Sequence, residues 1–171
     1  VRLRDVAAGA GVHHALLHHY YRDKEGLFGA VLERALGAIS SQAFELMRTT
    51  PEIRELIRRY VEVIVDFTAA NDNLLAIVHF AGRDEASPAF ALCEEVAFKL
   101  ILPLLEATAR MGERAQRQGA VRRDVEAREL VALAMGAAVH VFHEDRLFDA
   151  FFGKKVRSPE RLAAHKSAAV R

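Results

Sequence analysis

The stretch that most constrains the fold runs from Asp5 to Lys24, DVAAGAGVHHALLHHYYRDK, and reads as a short helix, a tight turn, a second short helix and the start of a third. Val6, Ala7 and Ala10 recur at helical spacing, so one stripe of the first helix faces inward while Arg2, Arg4 and Asp5 face water. Gly11 is placed to end that helix, because glycine reaches the left-handed conformation that a helix C-terminus favours. A turn of three to four residues follows, as in helix-turn-helix units. Val12, Leu17 and Tyr21 then supply the inward positions of the second helix and leave His13, His14, Ala15, His18 and His19 pointing outward. That outer face carries donors and acceptors without fixed charge, which suits a reader of base edges in the major groove. Asp23 stands where an N-cap belongs, with Lys24 and Glu25 opening the next helix.

The segment GVHHALLHHYYRDKEGLFGAVLE resembles the DNA-binding signature of the TetR (tetracycline repressor) family of bacterial regulators. Gly11, Val12, Leu17, Lys24, Glu25, Leu27 and Phe28 stand where that pattern has them. The departures are His13 for a frequent serine or threonine, Leu16 for a threonine, His18 for a tyrosine and Tyr21 for a phenylalanine. The resemblance implies an all-α chain with an N-terminal helix-turn-helix of the three-helix type, followed by a helical ligand-binding and dimerisation domain. Residues 1–40 would form the first unit, without its first helix, and residues 41–171 the second, with a shortened C-terminus. It also implies DNA contacts from Arg4, His13, His14, Ala15, Leu16, His18, His19, Tyr20 and Lys24, the last at a helix N-terminus where phosphate binds.

Composition bounds the rest. With 171 residues, half of them apolar, the chain can bury a substantial core. A net charge of +1 makes any nucleic-acid contact local, and five basic against four acidic residues in the first 37 would not by themselves suggest DNA. The single Cys93 excludes an internal disulfide and agrees with a cytoplasmic location. There is no secretory leader pattern and no apolar run of membrane-spanning length.

Downstream, the spacing predicts only helices. Lys24 to about Arg48 carries Leu27, Phe28, Val31, Leu32, Ala35, Ile39, Phe44 and Met47 as an apolar stripe, weakened by Gly26, Gly29 and Gly37. Glu52 to Ala70 carries Ile53, Leu56, Ile57, Tyr60, Ile64 and Phe67 at the spacing of a buried face. Asn71 to Asn73 make a break, Leu74 to Ala81 a short apolar helix, and Gly82 to Ser87 a polar loop. A long helix runs from Pro88 to Gln118 with a kink near Lys99 imposed by Pro103. Asp124 is placed to cap the next helix, which the family resemblance makes the first dimerisation helix. Its small residues permit close approach of a second copy, with Leu133, Gly136, Ala137 and His140 at the interface. An aromatic segment from Phe142 to Phe152 and a last helix from Ser158 complete the chain.

Catalytic signatures are absent, and no cofactor is implied. His140, His143, Glu144 and Asp145 form one cluster able to hold a cation or to be a polar helix rim, and His14 and His18, four apart, could share one. Phe67, Ile77, Val78, His79, Phe80, Arg83, Phe90, Cys93, Leu100 and His140 are candidates to wall a pocket for an apolar or aromatic effector, with His79 and Arg83 orienting it. The expected function is therefore a ligand-responsive transcriptional regulator, a repressor rather than an enzyme. It would bind double-stranded palindromic operator DNA as a homodimer and leave it when a small molecule binds. The alternatives are a helical metal-dependent enzyme using His140, His143 and Glu144, and a dimeric interaction module that no longer binds DNA.

Overall fold

The structure, a computed structural model, describes residues 2–81 and 83–169, with only the backbone of Phe80. Among these residues every regular element is helical. The elements are α1 (Leu3–Gly9), α2 (His14–Tyr21), α3 (Lys24–Thr49), α4 (Ile53–Ala70), α5 (Asp72–Ala81) and α6 (Pro88–Val96), then a π-helical turn (Ala97–Ile101), α7 (Leu102–Arg117), α8 (Ala127–His143), α9 (Asp145–Phe152) and α10 (Pro159–Ala169).

Side-chain caps set several of the starts. Asp23 accepts the Gly26 N–H at 2.7 Å, and Glu52 accepts those of Arg54 and Glu55 at 3.0 and 2.6 Å. Ser87 accepts that of Phe90 at 3.1 Å, with Pro88 in the first turn where its missing N–H costs nothing. The expected cap at Asp124 is not there. Glu126 holds the N-cap position of α8 without a side-chain bond, while Asp124 is engaged by both Arg122 Nε and Nη2. The fork of the neighbouring guanidinium outcompetes a cap two residues further on. The break between α4 and α5 shrinks to Asn71, whose side-chain amide donates to the Phe67 carbonyl at 2.7 Å.

Two groups of buried residues make the core. Tyr60, Val61, Ile64 and Val65 of α4 meet Ile39 and Ala43 of α3, Leu104 of α7, Ala138 and Phe142 of α8, and Val156. Leu32 of α3, Leu74 of α5 and Val96 of α6 form the second group, with Phe28, Leu36, Phe67, Val78, Cys93 and Leu100 against it. Helix α3 contributes to both. Its inward stripe is Leu32, Ile39, Ser40, Ala43 and Leu46, whereas Val31 and Phe44, expected inside, are 46% and 41% exposed. The α4 and α6 helices lie against the Leu32–Ala43 side, and a stripe drawn from hydrophobicity alone cannot tell that side from the next. The same holds in α1, where Leu3 and Ala7 are buried while Val6 is 37% exposed and Ala10 lies outside the helix.

The long helix is interrupted as expected near Lys99, and the interruption is a π turn. The Leu102 N–H bonds to the Ala97 carbonyl, five residues back, which accommodates Pro103 with its missing donor and bulky ring. Two side chains of α3 reach this turn. The hydroxyl of buried Ser40 donates to the Leu100 carbonyl at 3.1 Å, and Lys99 Nζ meets Glu33 at 2.6 Å. At the other end of α4, Arg157 Nη1 donates to the Thr68 and Ala69 carbonyls at 3.2 and 2.8 Å, with its guanidinium over the Phe142 ring.

Leu32 is fully buried and Val31, beside it, is nearly half exposed. Leu32→Ala is expected to cost about 2–5 kcal/mol in urea unfolding, and Val31→Ala less than about 1 kcal/mol. Equal losses would contradict the stripe described here.

A candidate nucleic-acid interface and an apolar cavity

The first two helices are joined through Gly11. Gly11 has φ +66°, its N–H bonds to the Ala8 carbonyl at 3.2 Å, and the Val12 N–H bonds to the Ala7 carbonyl at 3.0 Å. This pair of bonds closes a helix through a left-handed residue and turns the chain. Leu17 and Tyr21 of α2 are half-buried, while His13, His14, Ala15, Leu16, His18, His19 and Tyr20 are exposed, as are Arg4 and Lys24. All nine residues expected to contact DNA therefore lie at the surface. Lys24 is the first residue of α3, whose N-terminus is tied to α2 so tightly that a Cβ at Gly26 would lie 2.1 Å from the Tyr21 carbonyl oxygen.

The histidines are held individually. His13 Nδ1 accepts the Ala15 N–H at 3.3 Å, and His18 Nδ1 lies 2.6 Å from the Arg22 carbonyl oxygen. The rings of His14 and His18 meet edge to face at 4.6 Å, and those of His19 and Tyr20 do so at 5.2 Å. Arg22 itself has φ +61°, an uncommon conformation for a residue with a Cβ.

In the larger part of the molecule a cavity of about 210 Å³ opens between α4, α7 and α8. Its lining includes Ile57, Tyr60, Ile64, Met111, Leu130 and Met135, and no charged side chain takes part. The polar feature is a pair of hydroxyls. Thr108 Oγ1 lies 2.8 Å from the Leu104 carbonyl and 3.1 Å from Tyr60 Oη. The carbonyl can only accept and the threonine has one proton, so Thr108 donates to Leu104 and the Tyr60 phenol donates to Thr108. Burial raises the Tyr60 pKa above its ordinary value of 10.0.

Of the ten residues singled out for a pocket, the nine with described side chains do not line this cavity. Phe67, Val78, Cys93 and Leu100 pack around the second core group. Phe90 is half-buried on α6 and Ile77 is 45% exposed on α5; the Phe80 side chain is outside the described residues. His79 and Arg83 bond to each other at 3.2 Å and, with His143, Asp145 and Arg157, line a polar surface groove. The cavity between α4, α7 and α8 could not be picked out in one dimension, because its walls are ordinary core residues that happen not to close. His140 turns its ring edge to Phe148 and His143 faces His79. Among the described residues no three His, Cys, Asp or Glu side chains converge as metal ligands would, His140, His143 and Glu144 included.

Helix α8 has two apolar sides. Ala138 and Phe142 are buried in the core, whereas Leu133, Gly136, Ala137 and His140 lie on the exposed side. Leu133 is 64% exposed, and on α9 Leu147 and Phe151 are 64% and 76% exposed.

Residues 54–171 match the family model described as tetracyclin repressor-like, C-terminal domain, and residues 1–31 match that of bacterial regulatory proteins of the tetR family. Among curated proteins none matches significantly. Of the solved structures, the fatty acid degradation regulator FadR from Bacillus halodurans superposes with a TM-score of 0.74 at 14% identity, covering 99% of this chain and 87% of its own. Thermus thermophilus FadR, a TetR-family transcriptional repressor solved in complex with lauroyl-CoA, gives a TM-score of 0.56 at 18% identity, covering 99% and 83%. At such identities the likeness is one of fold. No helix among the described residues is long and apolar enough to cross a membrane.

The raised phenol pKa has a measurable consequence. Folding favours the neutral form, so this contribution to stability is whole below about pH 10 and is lost as pH rises through the higher folded value. Urea unfolding between pH 9 and 11.5 should show the natural chain losing stability relative to Tyr60→Phe above about pH 10. Parallel profiles would mean that the phenol is not buried.

Proposed function

Because the chain belongs to the TetR family, whose C-terminal model alone spans residues 54–171, we propose that it is a ligand-responsive transcriptional repressor that binds a palindromic operator as a homodimer. The observation that carries this reading is the outer face of α2. Of the eight turn and helix positions from His13 to Tyr20 all but Leu17 are exposed, and Leu17 with Tyr21 supplies the half-buried side of the helix. Such a helix, seated on a longer one, can enter a major groove with its side chains at base edges, while Lys24 neutralises a phosphate.

The effector in this reading occupies the cavity between α4, α7 and α8. An uncharged lining favours an apolar molecule or the apolar part of a larger one. The Thermus relative was solved with lauroyl-CoA, and an acyl chain has the right chemistry for these walls. Helix α7 continues through the π turn into α6, which packs on α3. Occupation of the cavity would shift α7 and thereby α3 and the reading unit. A coupling of about 1–3 kcal/mol would change operator affinity about 5- to 150-fold.

The exposed side of α8 is the proposed two-fold interface. A Cβ added at Gly136 would meet nothing within 4 Å, so bulk there leaves the single subunit undisturbed. Gly136→Leu or Ala137→Glu should give a folded monomer in sedimentation, since neither fits a close helix pair. A dimer from both variants would count against this interface.

The operator reading is tested by gel shift on DNA beside the protein's own gene. Lys24→Ala should weaken binding to all sequences about equally and reduce the salt dependence by roughly one phosphate. Failure of the natural protein to shift any DNA would sink the reading.

A further inference from the structure

We infer that His13 and His18 meet DNA in opposite hydrogen-bonding senses, His13 as donor and His18 as acceptor, so that His18 selects a base that presents an exocyclic amine in the major groove. This rests on the operator-binding reading above. A neutral imidazole carries hydrogen on one ring nitrogen and a lone pair on the other, and the bond made by one nitrogen decides the state of its partner. At His13, Nδ1 accepts the Ala15 N–H, so the hydrogen is on Nε2. At His18 the order is reversed. Nδ1 lies 2.6 Å from the carbonyl oxygen of Arg22, which can only accept, so Nδ1 carries the hydrogen and Nε2 keeps its lone pair.

The backbone and a neighbouring ring hold this reversal in place. Arg22 follows α2 at φ +61°, with its carbonyl directed back at the helix. The ring of His14 lies edge to face against His18 at 4.6 Å and restricts its rotation. Both His13 and His18 are exposed. Five residues apart, they are separated by about 7.5 Å along the helix, roughly two base-pair steps. They therefore address different bases.

The two senses differ in how much they discriminate. A donor finds an acceptor at guanine N7 and O6, adenine N7, thymine O4 and every phosphate, so His13 adds affinity with little preference. In the major groove an acceptor finds only the adenine N6 and cytosine N4 amines. Guanine or thymine under His18 would set one acceptor against another. Each half-site should therefore contain one position restricted to adenine or cytosine on the strand that His18 faces.

The test is selection of binding sites from random duplexes at pH 8, where an imidazole is ordinarily neutral, with the natural protein, His13→Leu and His18→Leu. The natural protein should enrich a motif with one adenine-or-cytosine position per half-site. His18→Leu should lose that restriction and keep the rest, and His13→Leu should bind more weakly with the motif unchanged. Replacing the restricted base by purine or 2-pyrimidinone, which lack the amine, should weaken binding by the natural protein about tenfold and by His18→Leu less than twofold. The base analogues require no change in the protein, so this result does not depend on a variant folding. Guanine or thymine at the His18-dependent position, or a motif identical with and without His18, overturns the inference and leaves operator binding standing. A natural protein that enriches no motif overturns the operator reading, and this inference with it.

Discussion

Helix α4 buries one whole face against α3, α8 and α10, and the arrangement of the other helices follows from that burial. Its outer face, with Arg54, Arg58, Arg59 and Asp66, meets water; there Arg58 bridges Glu55 and Glu62 at 2.5 Å each and Asp66 meets Lys166 of α10. The remainder, from Leu56 through Tyr60, Val61, Ile64 and Val65 to Thr68, is buried against α3, α8 and α10. Each large apolar side chain so buried contributes about 1.5–3 kcal/mol before entropy is counted. The exposed ion pairs contribute far less, because water and salt screen them. A helix so packed fixes the positions of its neighbours, and the cavity is the gap that remains where α7 and α8 do not quite close over Tyr60 and Ile64.

Helix α3 joins the two ends of this arrangement. Its N-terminus is locked to α2 through Asp23 and Gly26, its middle holds Leu32 in the second core group, and Ser40 grips a carbonyl of the π turn. The π turn and α2 are thus both in contact with one helix. Packed interiors shift between discrete arrangements and do not deform smoothly, and the proposed function would use this contact to carry a change at the cavity to α2.

Much of this was legible in the residue order. The inward stripe of α4, the cap at Asp23, the turn at Gly11 and the exposed histidine face all follow from local rules, and each is where those rules put it. The misplaced apolar residues share one cause. Val31 and Phe44 on α3, and Val6 on α1, sit beside the buried stripe, and which of two adjacent stripes is covered depends on the approach of another helix. Asp124 was a sound cap in isolation and lost to Arg122 two residues away. Lys99 was correctly placed at a disturbance, but a proline can be accommodated by a bend or by an added residue, and the sequence does not say which. The cavity was least legible because a void has no residue of its own.

The π turn also sets a phase. In an α-helix each residue advances about 100° around the axis, and the wider turn absorbs one residue beyond what a continuous helix would use. Helices α6 and α7 are therefore collinear in sequence yet written in two frames: Leu92 and Val96 address α3, and Thr108 and Met111 address the cavity. Removing one residue between Ala97 and Ile101 would merge the frames, and every side chain of α7 would swing by roughly 100° relative to α6. Loss of a single residue there would leave the helix whole and misdirect everything it carries.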